Sequence, residues 1–268
     1  FYSDDAERQK LWRDIADVVT ANLRRTGLFD PLNPQAFIQD LRSINVNGPR
    51  FPEWRAINAQ ALVSGTASRT ADNQTRVEFR LYDVFSERQI LGVAYTTNDS
   101  NWRRIAHIIS DEIYKRITGE DAYFDSRIVY VSESGGATKR VKRLAIMDQD
   151  GFNHKYLTDG SYLVLTPRFS PSQQLITYLS YYNNRPRVYL YDINTGKQEV
   201  LGNFPGMTFA PRFSPDGRKV IMSYAEDGNS DIYLMDIASK QPRRLTNNPG
   251  IDTAPSFSPD GKKVAFES

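Results

Sequence analysis

The sequence has 268 residues, of which 40% are hydrophobic, so it can bury a full core and is long enough for two domains. Its 34 basic and 32 acidic side chains leave a net charge of +2, which gives no electrostatic case for binding nucleic acid or an anionic membrane. The absence of cysteine excludes disulfides, thiolate metal sites and cysteine nucleophiles. No apolar run approaches the roughly 20 residues that a membrane-spanning helix needs.

The first 124 residues combine helical and strand patterns. A first helix is predicted from a capping-box pattern at Asp4 and Glu7 to a stop at Gly27, with apolar residues at Leu11, Ile15, Val18, Val19 and Leu23. A second is predicted from about Asn101 to Thr118, where isoleucines recur at helical spacing. Alternating segments at 61–70, 75–84 and 89–96 predict strands, and a short helix is predicted at 35–41. Residues 1–124 are therefore predicted to form an α/β layer domain.

Residues 125–268 repeat one unit. Pro167, Pro211 and Pro255 each open a Pro-x-Phe-Ser-Pro motif and lie 44 residues apart. The predicted units are about 127–166, 167–210 and 211–254, with an incomplete unit at 255–268, and the first unit lacks its first strand. Four short strands every 44 residues are typical of a β-propeller blade. We expect an all-β partial propeller of about three and a half units, and a longer protein of which this sequence is a fragment, since an open arc leaves a packing face uncovered.

The repeated motif has a structural explanation. Ser214-Pro-Asp-Gly217 has the residues of a tight turn, in which proline presets φ and glycine takes a positive φ. Phe169, Phe213 and Phe257 are predicted to be buried anchors between blades. On that basis Phe213→Ala would destabilise the fold by about 3 to 5 kcal/mol.

The tight turns are expected on one rim of the blades, and binding is expected on the opposite rim. There the connections are longer and more varied, among them those at 132–140, 182–186, 205–210 and 225–230. The loops entering each first strand should surround the mouth of the central channel, and they carry apolar side chains at Tyr162, Leu163, Val164, Met207, Phe209 and Ile251. Such residues favour a protein-partner surface. The alternative is that they fold inward and plug the channel.

The sequence offers little catalytic chemistry. His107 and His154 fall in different predicted domains and are interpreted as exposed structural histidines. Neither a Gly-x-Ser-x-Gly elbow nor a phosphate loop nor a His-Glu-x-x-His motif is present. The segment Asp148-Gln-Asp-Gly151 opens like a calcium loop but lacks the later glutamate, so we interpret it as a hairpin turn. We predict no catalytic residue, no metal site and no cofactor.

A family resemblance rests on the junction between the two parts. The segments Arg104-Ile-Ala-His107, Ile109-Ser-Asp111, Ile113-Tyr114 and Ile117-Thr-Gly119, then Phe124 to Ser132 and Phe-Ser-Pro-Asp-Gly blades, resemble the TolB family. The resemblance covers essentially the whole chain and implies a six-bladed propeller in the complete protein. The loops at 204–210 and 251–254 match the family's channel-mouth loops, which adds Thr208, Asp252 and Thr253 to the predicted surface.

The resemblance also implies a function. It implies a non-enzymatic periplasmic scaffold of the Tol-Pal system that binds the lipoprotein Pal through the propeller and supports outer-membrane integrity and envelope constriction at cell division. TolA is implied as a partner through an N-terminal segment that we expect to lie outside this sequence, and other outer-membrane proteins and colicins are further implied partners. Two alternatives remain open: the propeller appendage of a prolyl oligopeptidase-like serine peptidase, and a propeller that binds a small molecule.

Overall fold

A computed structural model describes the backbone of residues 6–268 and the side chains of residues 10–40 and 43–268. The chain divides into two compact units, and the boundary between them along the chain falls between Ser126 and Arg127. No helix in the described part of the chain is both long and apolar enough to cross a membrane. Each unit is described separately below.

Within the described residues, unit 1 contains four α-helices and one antiparallel sheet. The helices are α1 (Ala6–Arg25), α2 (Leu41–Asn47), α3 (Phe51–Ala56) and α4 (Trp102–Thr118), and the strands are β1 (Ala61–Arg69), β2 (Thr75–Asp83) and β3 (Arg88–Thr97), in the order β1-β2-β3. The two long helices and the three strands lie where the sequence predicts them. The capping box predicted at Asp4 and Glu7 lies outside the described side chains.

The main core of unit 1 lies where α1 and α4 pack on the sheet. The predicted isoleucine stripe of α4 is buried at Ile105, Ile109 and Ile113, against Phe79 and Leu81 of β2. The α4 helix ends as predicted, because Gly119 takes a φ of 80° and its N–H donates to the Lys115 carbonyl at 2.9 Å. Helical and strand periodicity therefore identify the layers of this unit correctly.

The segment between α1 and the sheet corrects the prediction of a helix at 35–41. The structure has a 3-10 turn at Pro34–Ala36, then extended backbone, and then α2 and α3. Gln39 is buried there, and its Oε1 accepts hydrogen bonds from the Arg50 backbone N–H (2.8 Å) and the Trp54 indole (2.9 Å). Its amide nitrogen donates to the Gly48 carbonyl at 3.0 Å. The helix prediction is wrong because this side chain binds the α2–α3 connection, a contact that local periodicity does not contain.

His107 is a second correction in unit 1. It was interpreted as exposed, yet only 2% of its surface is accessible. Its Nδ1 is hydrogen-bonded to the Asn22 amide of α1 at 2.9 Å, and the same amide donates to Ser110 Oγ at 3.0 Å. The α1 helix therefore covers the polar face of α4 beside the isoleucine stripe as well as the stripe itself.

Unit 2 is a series of antiparallel sheets, which we call blades 1 to 4. Blade 1 contains β4 (Arg127–Ser134), β5 (Val141–Asp148) and β6 (Lys155–Tyr156); blade 2 contains β7 (Val164–Phe169), β8 (Leu175–Ser180), β9 (Arg187–Asp192) and β10 (Gln198–Val200); blade 3 contains β11 (Met207–Phe213), β12 (Lys219–Glu226), β13 (Asn229–Asp236) and β14 (Pro242–Arg244); blade 4 contains β15 (Thr253–Phe257) and β16 (Val264–Glu267). The fold class predicted from the sequence, an α/β domain followed by partial propeller blades, is confirmed, and blade 1 lacks its first strand as predicted.

The connections lie at two ends of the blades. We call one the turn end, formed by residues 170–174, 193–197, 214–218, 237–241 and 258–263. We call the other the loop end, formed by residues 135–140, 157–163, 181–186, 201–206, 227–228 and 245–252. One loop-end connection is shorter than expected. The loop predicted at 225–230 is a two-residue turn, in which Asp227 and Gly228 take φ values of 51° and 83°.

Each first strand contains a β-bulge at the same position. In β7, Leu165 pairs with Leu179 and Arg168 with Thr177, so three steps along β7 match two along β8. Blades 3 and 4 repeat this irregularity between Phe209 and Arg212 and between Thr253 and Ser256. The bulge residues Thr166, Ala210 and Ala254 take φ values of 46°, 51° and 52°. One extra residue in a strand shifts the alternation of its side chains. Residues after the bulge therefore face the side opposite to the one expected if the two-residue period simply continued through it.

The predicted burial of the repeated phenylalanines needs correction. Phe169, Phe213 and Phe257 are only partly buried. The fully buried side chains of the blades lie instead on the second and third strands, for example Ile176, Met222 and Ile232. Each phenylalanine instead lies at the side of a cavity at the turn end.

Candidate functional site

The loop end of blades 2 and 3 forms a cavity of about 740 Å³. It lies between the β8–β9 connection with the start of β9, which supply Asn184, Arg185 and Arg187, and the β10–β11 connection with the start of β11, which supply Phe204 and Met207. Two separate connections therefore share one surface. This matches the prediction that the connections at 182–186 and 205–210 lie on the same rim.

The nine residues predicted for the channel mouth fall into three groups by exposure. Tyr162, Leu163 and Ile251 are exposed, Met207, Phe209 and Thr253 are half-buried, and Val164, Thr208 and Asp252 are buried. Leu163, Met207 and Ile251 occupy one repeat position, since they are 44 residues apart. Val164, Thr208 and Asp252 occupy the next. We call Leu163, Met207 and Ile251 the exposed column, since two of them are exposed and Met207 is half-buried. These side chains can meet a partner, whereas the buried column cannot without opening the blades.

The buried column holds the loops in place. Thr208 Oγ1 accepts a hydrogen bond from the Val188 backbone N–H at 2.8 Å, which joins the first strand of blade 3 to the third strand of blade 2. The Asp252 backbone N–H donates to the Ser230 carbonyl at 2.8 Å, and its carboxylate accepts from the Asn248 amide at 3.1 Å. Thr208 and Asp252 therefore position the exposed residues beside them.

Hydrogen bonding also determines the charge of Asp252. The pKa of Asp252 is held below its usual value, chiefly by the neighbouring Thr246 hydroxyl and further by Ser268 and Asn248, while burial acts in the opposite direction. The carboxylate is accordingly ionised at neutral pH, next to the exposed side chain of Ile251. The loop end of blade 4 thus places a fixed negative charge beneath an apolar surface residue.

The exposed tyrosines of blade 2 form a ring contact at the loop end. The rings of Tyr162 and Tyr182 meet edge to face with 4.7 Å between centroids, and Tyr182 lies 6.5 Å from Tyr189. Edge-to-face pairs restrict aromatic side chains that keep a polar tip in water, a combination common at protein interfaces. Tyr182 belongs to this surface although the sequence singled out only the loop that contains it.

The sequence placed Phe204 and Gly206 in a channel-mouth loop but did not predict what each residue does there. Phe204 is buried, with its ring 4.9 Å from Tyr224 and 5.5 Å from Tyr233. A Cβ on Gly206 would lie 2.2 Å from the Ala225 carbonyl oxygen, so only glycine allows this approach. The sequence signal was present as Phe204-Pro-Gly206, but its meaning depends on blade 3 lying directly behind the loop.

Cationic side chains line the same cavity. Arg185 and Arg187 lie on the β8–β9 side, and Arg187 reaches the Pro205 carbonyl at 3.5 Å. Arginine beside apolar and aromatic groups is typical of protein interfaces, because its planar guanidinium stacks and donates several hydrogen bonds. The cavity therefore fits a partner segment with apolar and acidic groups.

The two histidines make structural contacts. His107 binds Asn22 in unit 1, as described above, and His154 in unit 2 is exposed, with its ring 4.6 Å from Tyr156 and 6.0 Å from Tyr130. The interpretation of His154 as exposed is correct.

The loop end offers a contact surface built from apolar, aromatic and cationic side chains.

This fold defines a class of protein in which an α/β domain is followed by propeller blades. Residues 114–268 match the family model described as the TolB beta propeller domain, and residues 1–90 match the TolB amino-terminal domain. The chain belongs to the TolB family. The resemblance inferred from the helix–blade junction is thereby confirmed.

Individual relatives agree with this assignment. A protein of Paramagnetospirillum magneticum named Tol-Pal system protein TolB is 58% identical over 78% of this chain and 46% of its own length. A protein of the same name from Pelagibacter ubique is 60% identical over 76% of this chain and 45% of its own length. The crystal structure of TolB from Acinetobacter baumannii has a TM-score of 0.80 at 32% identity and covers 94% of this chain and 62% of that one. The chain therefore spans about half the length of the curated relatives that it matches.

Proposed function

We propose that the chain belongs to a non-enzymatic, periplasmic scaffold of the Tol-Pal system, and that its loop end binds the lipoprotein Pal. The names of its relatives support membership of that system. The amino-terminal match at residues 1–90 favours this function over the propeller appendage of a serine peptidase, because the blades alone do not distinguish the two. Binding at this surface would support outer-membrane integrity and envelope constriction at cell division.

The observation that carries the proposal is the exposed column at the loop end. Leu163 and Ile251 are 40% and 61% exposed, and Met207 lies between them in the repeat and lines the 740 Å³ cavity. Three successive blades thus present an apolar side chain at the same position. A repeat that is selected only to pack has no reason to expose apolar groups in register, whereas a partner that covers them gains burial energy.

The mechanism is competition between partners at a fixed surface. No bond is made or broken, and the scaffold acts through which partner occupies it at a given time. The other implied partners, which are TolA, outer-membrane proteins and colicins, would alter the system by changing the fraction of scaffold bound to Pal. The rigid blades keep the surface preformed, so that little ordering cost opposes binding.

The small-molecule alternative gains no support from the loop end. Such a site would need polar groups of the loop end, such as Asn184 and Asp252, to converge on one ligand. Asn184 lines the cavity, but Asp252 is buried and hydrogen-bonded to Asn248. The polar groups therefore do not converge on one ligand position as they do in small-molecule sites.

The test measures Pal binding to variants of the exposed column. Ile251→Asp and Met207→Asp each place a charge where an apolar contact is proposed, and we expect at least about tenfold weaker binding for each. The matched control is Val46→Asp, which makes the same kind of change at a residue of α2 that is 82% exposed. Binding is measured by isothermal titration calorimetry, and thermal melts check that each variant folds.

The location is tested separately with Lys219→Glu at the turn end. Lys219 begins β12, at the opposite end of the blade from the cavity. Unchanged binding is expected. If Lys219→Glu weakens Pal binding and neither Ile251→Asp nor Met207→Asp does, the interface lies at the turn end. That result would overturn the proposal.

A further inference from the structure

The turn end contains a second cavity, of about 320 Å³, that the proposed function does not use. It lies where the Phe-Ser-Pro motifs of blades 2, 3 and 4 come together, so three repeats contribute equivalent residues. Its volume is at the lower end of the range for small-ligand pockets. The cavity lies at the opposite end of the blades from the exposed column.

Two arginines of the first strands line this cavity. Arg168 and Arg212 are 44 residues apart and occupy the same repeat position, where blade 4 has Ser256. A β-bulge immediately before each arginine changes the alternation of the strand, and both side chains line the cavity. The prolines just before them are less accessible, since Pro167 is half-buried and Pro211 is buried. A repeated backbone irregularity thus brings two guanidinium groups to one cavity.

The two guanidinium groups keep most of their donors free. Each Nη1 donates to the carbonyl of the proline just before it, at 3.1 Å for Arg168 and 3.0 Å for Arg212. Among the residues whose side chains are described, no Asp or Glu forms an ion pair with either. A guanidinium has five N–H donors, so each group retains donors for an anion.

The positive charges oppose one another. Burial lowers the pKa of Arg212, and the charge of Arg168 lowers it further. The guanidinium of Arg127 adds another cation nearby, 5.9 Å above the ring of Phe169, which lines the cavity. A bound anion would relieve this repulsion, and planar guanidinium groups match the oxygens of carboxylates and phosphates.

Apart from Ser214, Ser256 and Ser258, the remaining residues of the cavity are apolar. Phe169, Phe213 and Phe257 lie there half-buried, together with the prolines of the three motifs. Their rings offer an apolar surface next to the cations. We propose that this cavity binds a small organic anion, with its carboxylate or phosphate group at Arg168 and Arg212 and its apolar part against the phenylalanines.

The test is isothermal titration calorimetry on the intact protein with three probes of similar shape. Benzoate and phenyl phosphate carry the two anionic groups, and benzamide is the neutral counterpart. We expect at least one anion to bind at least about tenfold more tightly than benzamide. Binding of benzoate alone would identify a carboxylate ligand, and binding of phenyl phosphate alone would identify a phosphate ligand.

Substitutions then connect the binding to the two arginines. Arg168→Gln combined with Arg212→Gln is expected to weaken the anion at least about tenfold. The matched control Arg243→Gln makes the same change at an exposed position on the outer strand β14 and should leave anion binding unchanged. If the double variant does not fold, Arg212→Lys keeps the charge and loses the planar fork, so it must weaken the anion without changing benzamide binding.

Three results would overturn the proposal. These are no binding of either anion to the unmodified protein, equal binding of benzamide, and equal weakening by Arg243→Gln. Pal binding by the double variant should match that of the unmodified protein, because the two cavities lie at opposite ends of the blades. If the anion does not bind at the turn end, the proposal of Pal binding at the loop end still stands. If Pal does not bind at the loop end, the proposal of anion binding still stands.

Discussion

The two ends of the blades differ in how strictly they repeat. At the turn end, Ser214 Oγ donates to Asp216 and the Arg218 backbone N–H donates to the same carboxylate at 3.0 Å. Ser258, Asp260 and Lys262 form the same bonds one repeat later. At the loop end, successive blades share a position but not a residue, as Val164, Thr208 and Asp252 demonstrate.

The difference indicates which contacts each end must satisfy. A tight turn satisfies its own backbone groups, so its sequence is fixed by local geometry and repeats with the blade. Loops that meet a neighbouring blade on one side and solvent on the other satisfy a different partner in each repeat. Divergence within a repeated fold is therefore an indicator of the surface that binds something.

The largest expected effect tests the interior of the blades against the turn end. Ile176→Ala removes a fully buried side chain of β8 and should lower the free energy of unfolding by about 2 to 5 kcal/mol. Phe213→Ala should cost clearly less than the 3 to 5 kcal/mol first expected for a buried phenylalanine, because its ring lies half-exposed at the cavity. Denaturant melts compare the two. Equal losses would mean that the turn-end cavity is a packed core.

A smaller effect is expected from the backbone of the loop end. Gly206→Ala brings a Cβ to 2.2 Å from the Ala225 carbonyl oxygen, so β11 or its loop must move, at a cost of about 1 to 3 kcal/mol. Gly136→Ala is the control, since nothing lies within 4 Å of its added Cβ, and it should change stability by less than about 0.5 kcal/mol. Thermal melts measure both. Similar midpoints for the two variants would contradict the close approach at Gly206.

The smallest effect is a pH dependence at the turn end. The Ser214 hydroxyl, followed by the Arg218 backbone N–H, lowers the pKa of Asp216. A carboxyl whose pKa is lowered in the folded state stabilises the protein at a pH above its pKa in the unfolded state, about 3.9. This stabilisation is lost as the pH falls through the pKa of the folded state.

Asp216→Asn removes this contribution, so the variant should be less stable than the unmodified protein at pH 7. The difference should shrink as the pH falls below about 4. Melting midpoints measured between pH 7 and pH 2 follow it. Parallel curves over that range would show that the turn does not favour the ionised carboxylate.

Much of the architecture could be predicted because its causes are local. The helix end at Gly119 and the turns at Ser-Pro-Asp-Gly depend on residues adjacent in sequence, and the 44-residue spacing transfers each assignment to the next blade. The missing first strand of blade 1 was predicted for the same reason. The family resemblance rested on the residues of the helix–blade junction and on the Phe-Ser-Pro-Asp-Gly blades.

The candidate sites were predictable only in part. The sequence indicated the loop end and the repeat positions of its exposed apolar residues, but it did not separate Leu163 from Val164 or Ile251 from Asp252. It gave no sign that Arg168 and Arg212 share a cavity. Both questions depend on which way a strand residue faces, and one extra residue in a strand reverses that direction.

The sequence by itself determined the strand count, the blade repeat and the two long helices, because these follow from periodicity and turn chemistry within short segments. The family was inferred separately, from the resemblance of the helix–blade junction and the blade motifs. Tertiary structure decided what each polar or apolar side chain meets. His107 is buried because α1 covers it, Gln39 because it binds the α2–α3 connection, and Thr208 because blade 2 presents an N–H to it. The bulges at Thr166, Ala210 and Ala254 decide which residues face each cavity, since a register shift is a property of paired strands and not of either strand alone.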